Sequence, residues 1–458
     1  MRVQSLVVLA ALCAAGCIRH DHDRVIVTQS DPDTTVAVLK SAFALQSSYP
    51  TDIVIADSPG IRDVAFVFDG GTVQAVRCGA GALSAPTGIS GYSIQTSSVF
   101  GDDLEIVDAA RGAAVVNNGN AGGTPTSVLE VFNPTSGANL QSLNLARSYT
   151  FGGSPQDTQG NTVTTITQGD CSGVCFVPTS GTQGKLYVSM SNVQQASPTF
   201  ELLPGTAQVF AVDWSNGTPV TTTPATTLPT THYNPTQVTR FTDPGSGRNY
   251  VLVTMSGKYQ FGGTINTVSS IDVIDTTTDA IVTNIPLGLA AASFHAIALR
   301  QAWNASTSTL ETFGLLGSSL NGNLYQVNLT QIHALNVASS LPASYTGGVV
   351  NDASSPLAVS GAGDYIVDVK AAAGGRWVFA SSFNNGDIRV CDFGGATPSL
   401  NVSPGPFVIG DPTNFVSAGW MALRPGNFEG PEIFATTGSW PGPDAVASVQ
   451  TSLKVSAP

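Results

Sequence analysis

The residues best suited to chemistry in the body of this sequence are three histidines, and they are isolated. His232, His295 and His333 stand far apart. The nucleophile elbow G-x-S-x-G, the P-loop, the HExxH metal motif and the haem-attachment motif are missing from the sequence. His295 opens an apolar strand and could lie near a central channel, but a lone histidine there is more often structural. We therefore predict no catalytic, metal-binding or cofactor-binding residue.

Acidic and amide side chains recur where strands of one kind end, as at Asp213, Asp275 and Asn328. A ring of such carboxylates could bind a cation. Asp and Asn also hydrogen-bond the backbone of their own turns. Because the residues recur in copy after copy, and a catalytic site needs differences between copies, the pattern favours turn chemistry.

Four cysteines lie beyond the N-terminal region: Cys78, Cys171, Cys175 and Cys391. An even number of cysteines in an exported protein indicates disulfides. Cys171 and Cys175 stand in GDCSGVC, where the glycines allow a tight loop, so we predict that these two residues form a disulfide. A zinc site would need two further ligands nearby, and the sequence has none. The pairing of Cys78 and Cys391 is left open.

The N-terminal residues predict export. Arg2 precedes a short apolar stretch, and the sequence Ala14-Ala15-Gly16-Cys17 follows. This resembles the lipobox of bacterial lipoproteins, which implies a signal peptide over residues 1–16, lipidation of Cys17 and a tether over residues 17–34. An ordinary signal peptide is the alternative. The expected location is the bacterial cell envelope, as an outer-membrane lipoprotein that faces the periplasm or the cell surface and contacts the membrane through Cys17.

The composition indicates an all-β chain that does not bind nucleic acid. Charged residues make up 11% of the chain, against about 25% in an average domain. The net charge is −13, whereas binding to phosphate backbones requires clustered Lys and Arg. No later stretch is long and apolar enough for a transmembrane helix.

The chain is organised around residues 271–288, IDVIDTTTDAIVTNIPLG, which read as two short strands joined by a polar turn. Such a hairpin is marginal in water and must stack on copies of itself. We identify seven copies. Their third strands end at Arg77, Asn133, Asp213, Asp275, Asn328, Asp392 and Gln450, which by subtraction lie 53 to 80 residues apart. Repeats of this size that each form a small antiparallel sheet indicate a propeller.

Residues 266–288, NTVSSIDVIDTTTDAIVTNIPLG, resemble the repeat of the Tyr-Val-Thr-Asn family of bacterial β-propellers, and residues 185–192, KLYVSMSN, resemble that family's preceding strand. The resemblance implies radially arranged blades of four strands. The predicted fold is thus an all-β, seven-bladed β-propeller of four-stranded antiparallel blades, in a single domain over residues 35–458.

Ring closure should involve the start of this domain. Residues 35–40, TVAVLK, are a strand without a copy of their own, and the last copy ends soon after its third strand. We predict that this segment supplies the missing outer strand of the last blade, because an unclosed propeller exposes strand edges. Insertions are expected at residues 152–169 and 216–231, the second extended or disordered.

Two functions remain open. The first is a binding or scaffold module for a protein or glycan, without enzymatic activity. The second is a lactonase-like or other metal-dependent hydrolase with its site in the central channel. A quinone-dependent dehydrogenase is a weaker third option. Some of five tryptophans could line a binding face, while most should pack between blades: Trp214, Trp303, Trp377, Trp420 and Trp440.

Overall fold

The computed structural model describes most of the chain beyond residue 36. The described residues are 37–46, 50–79, 82–95, 100–117, 127–150, 161–162, 164–196, 199–216, 220–257, 259–260, 264–265, 269–288, 293, 295–304, 308–330, 332, 357–360, 364–394, 398–400, 406–414, 416–424, 431–439, 444–451 and 453. Cys17, His333 and Trp440 lie outside them, as do the predicted signal peptide and tether.

Strand β1 (Ala37–Ala44) precedes the repeats. The first two blades contain β2 (Pro50–Ala56), β3 (Val64–Asp69), β4 (Thr72–Arg77) and β5 (Tyr92–Ser93), then β6 (Phe100–Asp108), β7 (Arg111–Asn117), β8 (Ser127–Asn133) and β9 (Ala138–Asn144). A hairpin of β10 (Arg147–Thr150) and β11 (Thr165–Gln168) leads into the third blade, which contains β12 (Cys171–Ser180), β13 (Gln183–Ala196), β14 (Thr199–Asp213) and β15 (Thr226–Tyr233).

The fourth blade contains β16 (Pro235–Thr242) and β17 (Asn249–Met255), and, after the short strands β18 (Tyr259–Gln260) and β19 (Thr264–Ile265) that extend the third sheet, β20 (Ser269–Asp275) and β21 (Ala280–Gly288). The last three blades contain β22 (Ala298–Asn304), β23 (Thr309–Gly317), β24 (Asn323–Asn328) and β25 (Leu357–Ala358), then β26 (Ile366–Ala371), β27 (Trp377–Ser382), β28 (Asp387–Asp392), β29 (Ser399–Leu400) and β30 (Phe407–Val408), then β31 (Val416–Leu423), β32 (Glu432–Ser439) and β33 (Ala445–Thr451). The segments Trp214–Asn216 and Pro412–Asn414 are 3-10 turns.

The strands within a blade differ in burial according to their distance from the ring axis. Every residue of β3, with the sequence VAFVFD, is buried, and so is every residue of β27, WVFASS. Both strands lie in the middle of a sheet whose two faces are covered by neighbouring blades, so neither face needs to be polar. The outer strand β9 is mostly exposed.

Seven apolar clusters fill the seven spaces between blades. The cluster between blades 1 and 2 contains Phe66 and Leu104, and the cluster between blades 7 and 1 contains Phe434 and Ile53. The other five join blades 2 and 3, 3 and 4, 4 and 5, 5 and 6, and 6 and 7. Because the number of interfaces equals the number of blades, the blades form a closed ring, and the chain is a seven-bladed β-propeller.

The ring closes through its first strand, as predicted. Strand β1 pairs antiparallel with β33, from Ala37 opposite Thr451 to Ala44 opposite Ala445, and completes the sheet β1-β33-β32-β31. The pairing covers the outer edge of β33, which would otherwise expose unpaired N–H and C=O groups. Residues 35 and 36 of the predicted strand lie outside the described residues.

The repeat boundaries agree closely with those predicted from the sequence. The third strands of the first six blades end at the predicted residues, and that of the seventh ends at Thr451, one residue beyond Gln450. The last part of the predicted insertion at residues 216–231 is extended, which is one of the two expected states, but it belongs to the blade itself, because β15 pairs with β14 and forms the outer strand of the third blade.

The predicted disulfide between Cys171 and Cys175 is not formed. Both residues lie on strand β12, and the thiols of Cys78, Cys171, Cys175 and Cys391 are all free and buried. Residues of a strand rise by roughly 3.3 Å each, so two cysteines four residues apart exceed the roughly 7 Å limit for a disulfide. Cys171 packs in the cluster between blades 2 and 3, and Cys175 in the cluster between blades 3 and 4.

Candidate functional site: the central channel

The central channel holds a cavity of about 410 Å³ that every blade helps to line. Its walls come from the innermost strands β2, β6, β12, β16, β26 and β31, and from Ala296, just before β22. The ionisable side chains in the wall are Asp52, Asp103, Glu105, Arg240 and Lys370. This is the place at which the sequence allowed a hydrolase site.

Three aspartates of the innermost strands bind the backbone of the next blade. Asp52 Oδ2 accepts a hydrogen bond of 3.1 Å from the N–H of Leu104 in blade 2. Asp103 Oδ2 accepts one of 2.7 Å from Val174 in blade 3, and Asp368 Oδ2 accepts one of 2.8 Å from Met421 in blade 7. We call these three residues the staple aspartates. Each of these hydrogen bonds joins two blades, and it is charge-assisted when the aspartate is ionised.

A local irregularity places each staple aspartate. The pairing register of the inner strand shifts just before Asp52, Asp103 and Asp368. A β-bulge redirects the side chain that follows it, and here the carboxyl then reaches the neighbouring inner strand. Asp52 Oδ1 and Asp368 Oδ1 also accept the N–H of the residue that follows each of them, at 2.7 and 2.8 Å.

The carboxyls of Asp52 and Asp103 form a hydrogen-bonded pair. Burial, and then the adjacent Asp52, raise the pKa of Asp103 well above its usual range, so Asp103 keeps its proton and donates to Asp52. Burial also raises the pKa of Asp52 to about 6, while Lys370 acts to lower it. Two neighbouring carboxyls that share one proton reduce the number of buried charges.

Asp368 and Lys370 form an ion pair in the channel wall, at 3.0 Å between Nζ and Oδ2. Burial acts to lower the pKa of the Lys370 ammonium, but Asp368 and Asp52 raise it above its usual value. Asp368 is only 1% exposed and Lys370 29%. The lysine thus neutralises a buried carboxylate and keeps part of its own surface open to the channel.

His295 lies beside this pair but takes a structural role. Its Nε2 accepts a hydrogen bond of 2.8 Å from the N–H of Gly317, and its Nδ1 lies 2.7 Å from the carbonyl oxygen of Ala296 and 3.9 Å from Asp368 Oδ1. Burial lowers its pKa although Asp368 acts in the opposite direction. The ring is therefore neutral with the proton on Nδ1, and both nitrogens are engaged with backbone groups.

Among the ionisable side chains of the channel wall, Glu105 and Arg240 remain available to contact a ligand. Neither makes a hydrogen bond or an ion pair within the described part of the chain, and Arg240 is exposed. Burial raises the pKa of Glu105 to about 8, although the positive charge of Arg240 acts to lower it. A partly buried carboxyl that titrates near neutral pH is suited to proton transfer or to binding a hydroxyl group.

The Asp and Asn residues at the ends of third strands make turns, as the sequence indicated. Asn133 Oδ1 accepts from Thr135 and Ser136, Asp213 Oδ1 from Ser215, Asp275 Oδ1 from Thr277, Asn328 Oδ1 from Thr330, and Asp392 Oδ1 from Gly394. The alternative of a cation ring at these positions is not supported. Among the described residues no three His, Cys, Asp or Glu side chains are grouped to hold a metal ion.

Sequence reasoning missed a second set of contacts between blades, which involve basic side chains. Arg300 Nη2 donates to the carbonyl of Phe393 at 3.2 Å, and Lys185 Nζ donates to that of Thr276 at 2.9 Å. Arg424 donates to the carbonyl of Cys78. Each carbonyl belongs to the residue directly after a third strand of the next blade. The recurrence of this acceptor position was visible in the sequence, but its basic partner occupies different strands and could not be aligned.

Three of four described tryptophans pack between blades, as expected for most of them. Trp214 and Trp420 are partly buried against interblade clusters, and Trp377 is 7% exposed. Trp303 differs, with 60% of its surface exposed.

Within the described residues there is no helix with the length and apolar character needed to cross a membrane.

No family model matches the chain, and no curated protein matches it. Similar solved structures include the β-propeller domain of Cps50 (Swd1) from Myceliophteria thermophila, at 12% identity over 88% of this chain and 98% of that chain, with a TM-score of 0.47. The Dos1 propeller has 12% identity over 90% and 80% of the two chains, with a TM-score of 0.41. A putative 6-phosphogluconolactonase from Bacteroides fragilis has 10% identity over 71% and 78%, with a TM-score of 0.38. The strand pairings of this chain and the closure of its ring by β1 define the propeller.

Proposed function

We propose that this protein is a lipoprotein of the bacterial cell envelope whose propeller serves as a binding or scaffold module for a protein or glycan. Lipidated Cys17 would hold it at the outer membrane, facing the periplasm or the cell surface. The lipobox-like sequence Ala14-Ala15-Gly16-Cys17 supports the anchor, and two acyl chains suffice for stable attachment.

The observation that carries the binding role is the use of the channel carboxyls. Asp52, Asp103 and Asp368 each accept a backbone N–H from the next blade, so they are committed to holding the ring together. His295 is likewise engaged with backbone groups through both nitrogens. Three of the channel aspartates and His295 therefore stabilise the scaffold, which favours recognition by the surfaces around the channel.

The anchor is tested by metabolic labelling with a radioactive fatty acid in a bacterial host. The wild-type chain should incorporate the label and fractionate with membranes, and Cys17→Ser should do neither. Cys13→Ser, a change four residues earlier in the same segment, is the matched control and should behave as the wild type. Label in the Cys17→Ser protein would refute the anchor.

The binding role is tested by cross-linking the intact protein in cells and by probing the purified full chain with a glycan array. The proposal predicts one saturable partner, protein or glycan, that an excess of unlabelled chain displaces. If no saturable partner is found by either route across several growth conditions, the binding role fails.

A hydrolase with its site in the channel is the second candidate, and one observation favours it. Glu105 has a pKa raised to about 8 in a cavity of about 410 Å³ that Arg240 also lines. Such a carboxyl can act as a general acid or base near neutral pH. The test is hydrolysis of a panel of lactones and esters. Activity that Glu105→Gln abolishes, with folding retained, would favour the enzyme over the binding module.

A further inference from the structure

We propose that a second cavity, between blades 4, 5 and 6, binds one ring of a neutral saccharide, with the Trp303 indole as its platform. This inference rests on the proposed binding role, because it names the class of ligand and the surface that would recognise it. The cavity has a volume of about 200 Å³ and shares no residue with the channel cavity.

The lining of this cavity is uncharged. It contains the ends of β16 and β26, residues of β22 and β23, and the turn that follows β26, and its polar side chains are Thr242, Gln301 and Thr312. A ligand that carries a net charge would find no counter-charge there, and taking a charge out of water without a partner is costly. A neutral ligand is therefore favoured.

Polar groups converge in the cavity in a form that suits hydroxyl groups. Gln301 and Thr312 are opposite each other in the pairing of β22 with β23, so both side chains lie on one face of the sheet. Thr312 is 1% exposed, and its hydroxyl oxygen has no hydrogen-bond partner within the described part of the chain. Gln301 is exposed.

The unpartnered Thr312 hydroxyl is the feature that points to a ligand. Leaving a buried hydroxyl without a partner is unfavourable, and a bound hydroxyl group would supply both a donor and an acceptor. The nearby Thr242 hydroxyl donates to Asn249 Oδ1 at 2.7 Å and keeps its lone pairs for another donor.

Trp303 extends the same face outward. It lies two residues after Gln301 on β22, and side chains two apart in a strand point to the same side. Trp303 is 60% exposed, so its indole offers a broad apolar surface next to Gln301, just beyond the residues that line the cavity. A pyranose ring combines an apolar C–H face with hydroxyl groups at its edge, which matches an exposed indole beside hydroxyl and amide groups.

The size of the cavity limits what it holds. Pockets for drug-sized ligands have volumes of roughly 300–1,000 Å³, whereas this one has about 200 Å³. One sugar ring in the cavity, with the rest of the chain running across Trp303, is consistent with this volume. A folded protein surface could contact the indole but would leave the Thr312 hydroxyl unpartnered.

The test uses the full chain in a non-glycosidic detergent on an array of neutral hexasaccharides of glucose, galactose, mannose and N-acetylglucosamine. Uronic-acid and sulfated hexasaccharides form the charged set. We expect binding to at least one neutral probe and none preferentially to the charged set. Affinity should be the same at roughly 50 and 500 mM salt, since no charged group lines the cavity.

Three variants assign the binding to this cavity. Trp303→Ala should weaken binding roughly tenfold or more, and Thr312→Val, which removes only the hydroxyl, should weaken it up to about tenfold. Val408→Ala is the matched control, because Val408 is also apolar and exposed (62%) but lies on blade 6 and does not line the cavity. This variant should bind as the wild type does. Trp303→Ala and Val408→Ala should keep the wild-type melting temperature, and Thr312→Val should keep or raise it.

The outcomes separate this inference from the broader proposal. If no neutral probe binds, or if binding is unaffected by both Trp303→Ala and Thr312→Val, the saccharide site is refuted. The binding role itself would still stand if cross-linking identifies a saturable protein partner. Preference for the charged set would refute the neutral site as well.

Discussion

Replacement of Glu105 by glutamine should make the protein more stable at alkaline pH. Burial raises the pKa of Glu105 from 4.5 to about 8 in the folded state. The folded protein therefore holds a proton that the unfolded chain has released above about pH 4.5. By linkage, the stability associated with this proton is fully present below that pH and is lost as the pH rises through 8.

The magnitude follows from the size of the pKa difference. A rise from 4.5 to about 8 corresponds to an upper limit of about 5 kcal/mol. Glu105 is only partly buried and faces a channel that water enters, so we expect about 1–3 kcal/mol. Glutamine has nearly the same shape and cannot ionise. The variant should match the wild type near pH 5 and exceed its free energy of unfolding by about 1–3 kcal/mol near pH 9.

The assay is urea denaturation followed by tryptophan fluorescence, repeated from pH 5 to pH 9. Glu311→Gln is the matched control, because Glu311 lies on β23 and binds the Asn304 side chain, away from the channel lining. Its stability should vary with pH as that of the wild type does. If Glu105→Gln and the wild type lose the same free energy between pH 5 and pH 9, the assignment of a buried, protonated Glu105 is wrong.

Three further predictions concern the ring itself. Asp368→Ala should destabilise the protein by about 3–5 kcal/mol in urea denaturation, because it leaves the N–H of Met421 and the Lys370 ammonium without their partner. The control Asp392→Ala, which breaks a more exposed pair with Arg376, should cost about 0–1 kcal/mol. Equal losses of stability in the two variants would refute the role of Asp368 in joining blades. Deletion of residues 37–44 should speed amide hydrogen exchange across β33, measured by mass spectrometry, whereas the control deletion of residues 25–32 should not. Unchanged protection of β33 after deletion of residues 37–44 would contradict closure by β1. In a chain expressed from residue 18, titration with dithionitrobenzoate in the absence of reductant should detect no reactive thiol in the native protein and four after denaturation. The reason is that all four described cysteines are free, and burial raises the pKa of Cys78 and Cys391 to about 12. Two or fewer thiols after denaturation would indicate a disulfide.

The blade pattern could be predicted from the sequence because each repeat obeys local rules. Third strands end in Asp or Asn in five of the seven blades, from Asn133 to Asp392, and these residues form hydrogen bonds within their own turns. Closure was also predictable, since an unmatched strand at one end and a missing strand at the other require each other. The turn residues follow from neighbours in the sequence, and closure follows from the cost of an exposed strand edge.

The staple aspartates could not be predicted, because their role depends on a different blade. Asp52, Asp103 and Asp368 each follow a one-residue shift in strand register, and such a shift reverses which face a side chain occupies. The alternation of residues along the strand therefore cannot show which face of the sheet these three side chains occupy.

The disulfide prediction failed for a related reason. Glycine and serine around Cys171 and Cys175 resemble loop residues, yet the segment is an inner strand. A Cβ on Gly173 would lie 2.9 Å from the Cα of Gln237, so glycine is required there by the close approach of blades 3 and 4 rather than by a turn.

The inner strands of blades 4 and 6 serve two cavities with different chemistry. On β16, Thr239 and Arg240 line the channel, and Phe241 and Thr242 line the cavity beside Trp303. On β26, Lys370 likewise faces the channel, and the residues directly after it line the second cavity. The charged groups are thus confined to the channel, and only neutral groups line the second cavity. Since salt screens only interactions between charges, a charged ligand in the channel should bind more weakly at high salt, while a neutral saccharide against Trp303 should not. Binding that weakens with salt therefore indicates the channel, before a single residue is changed.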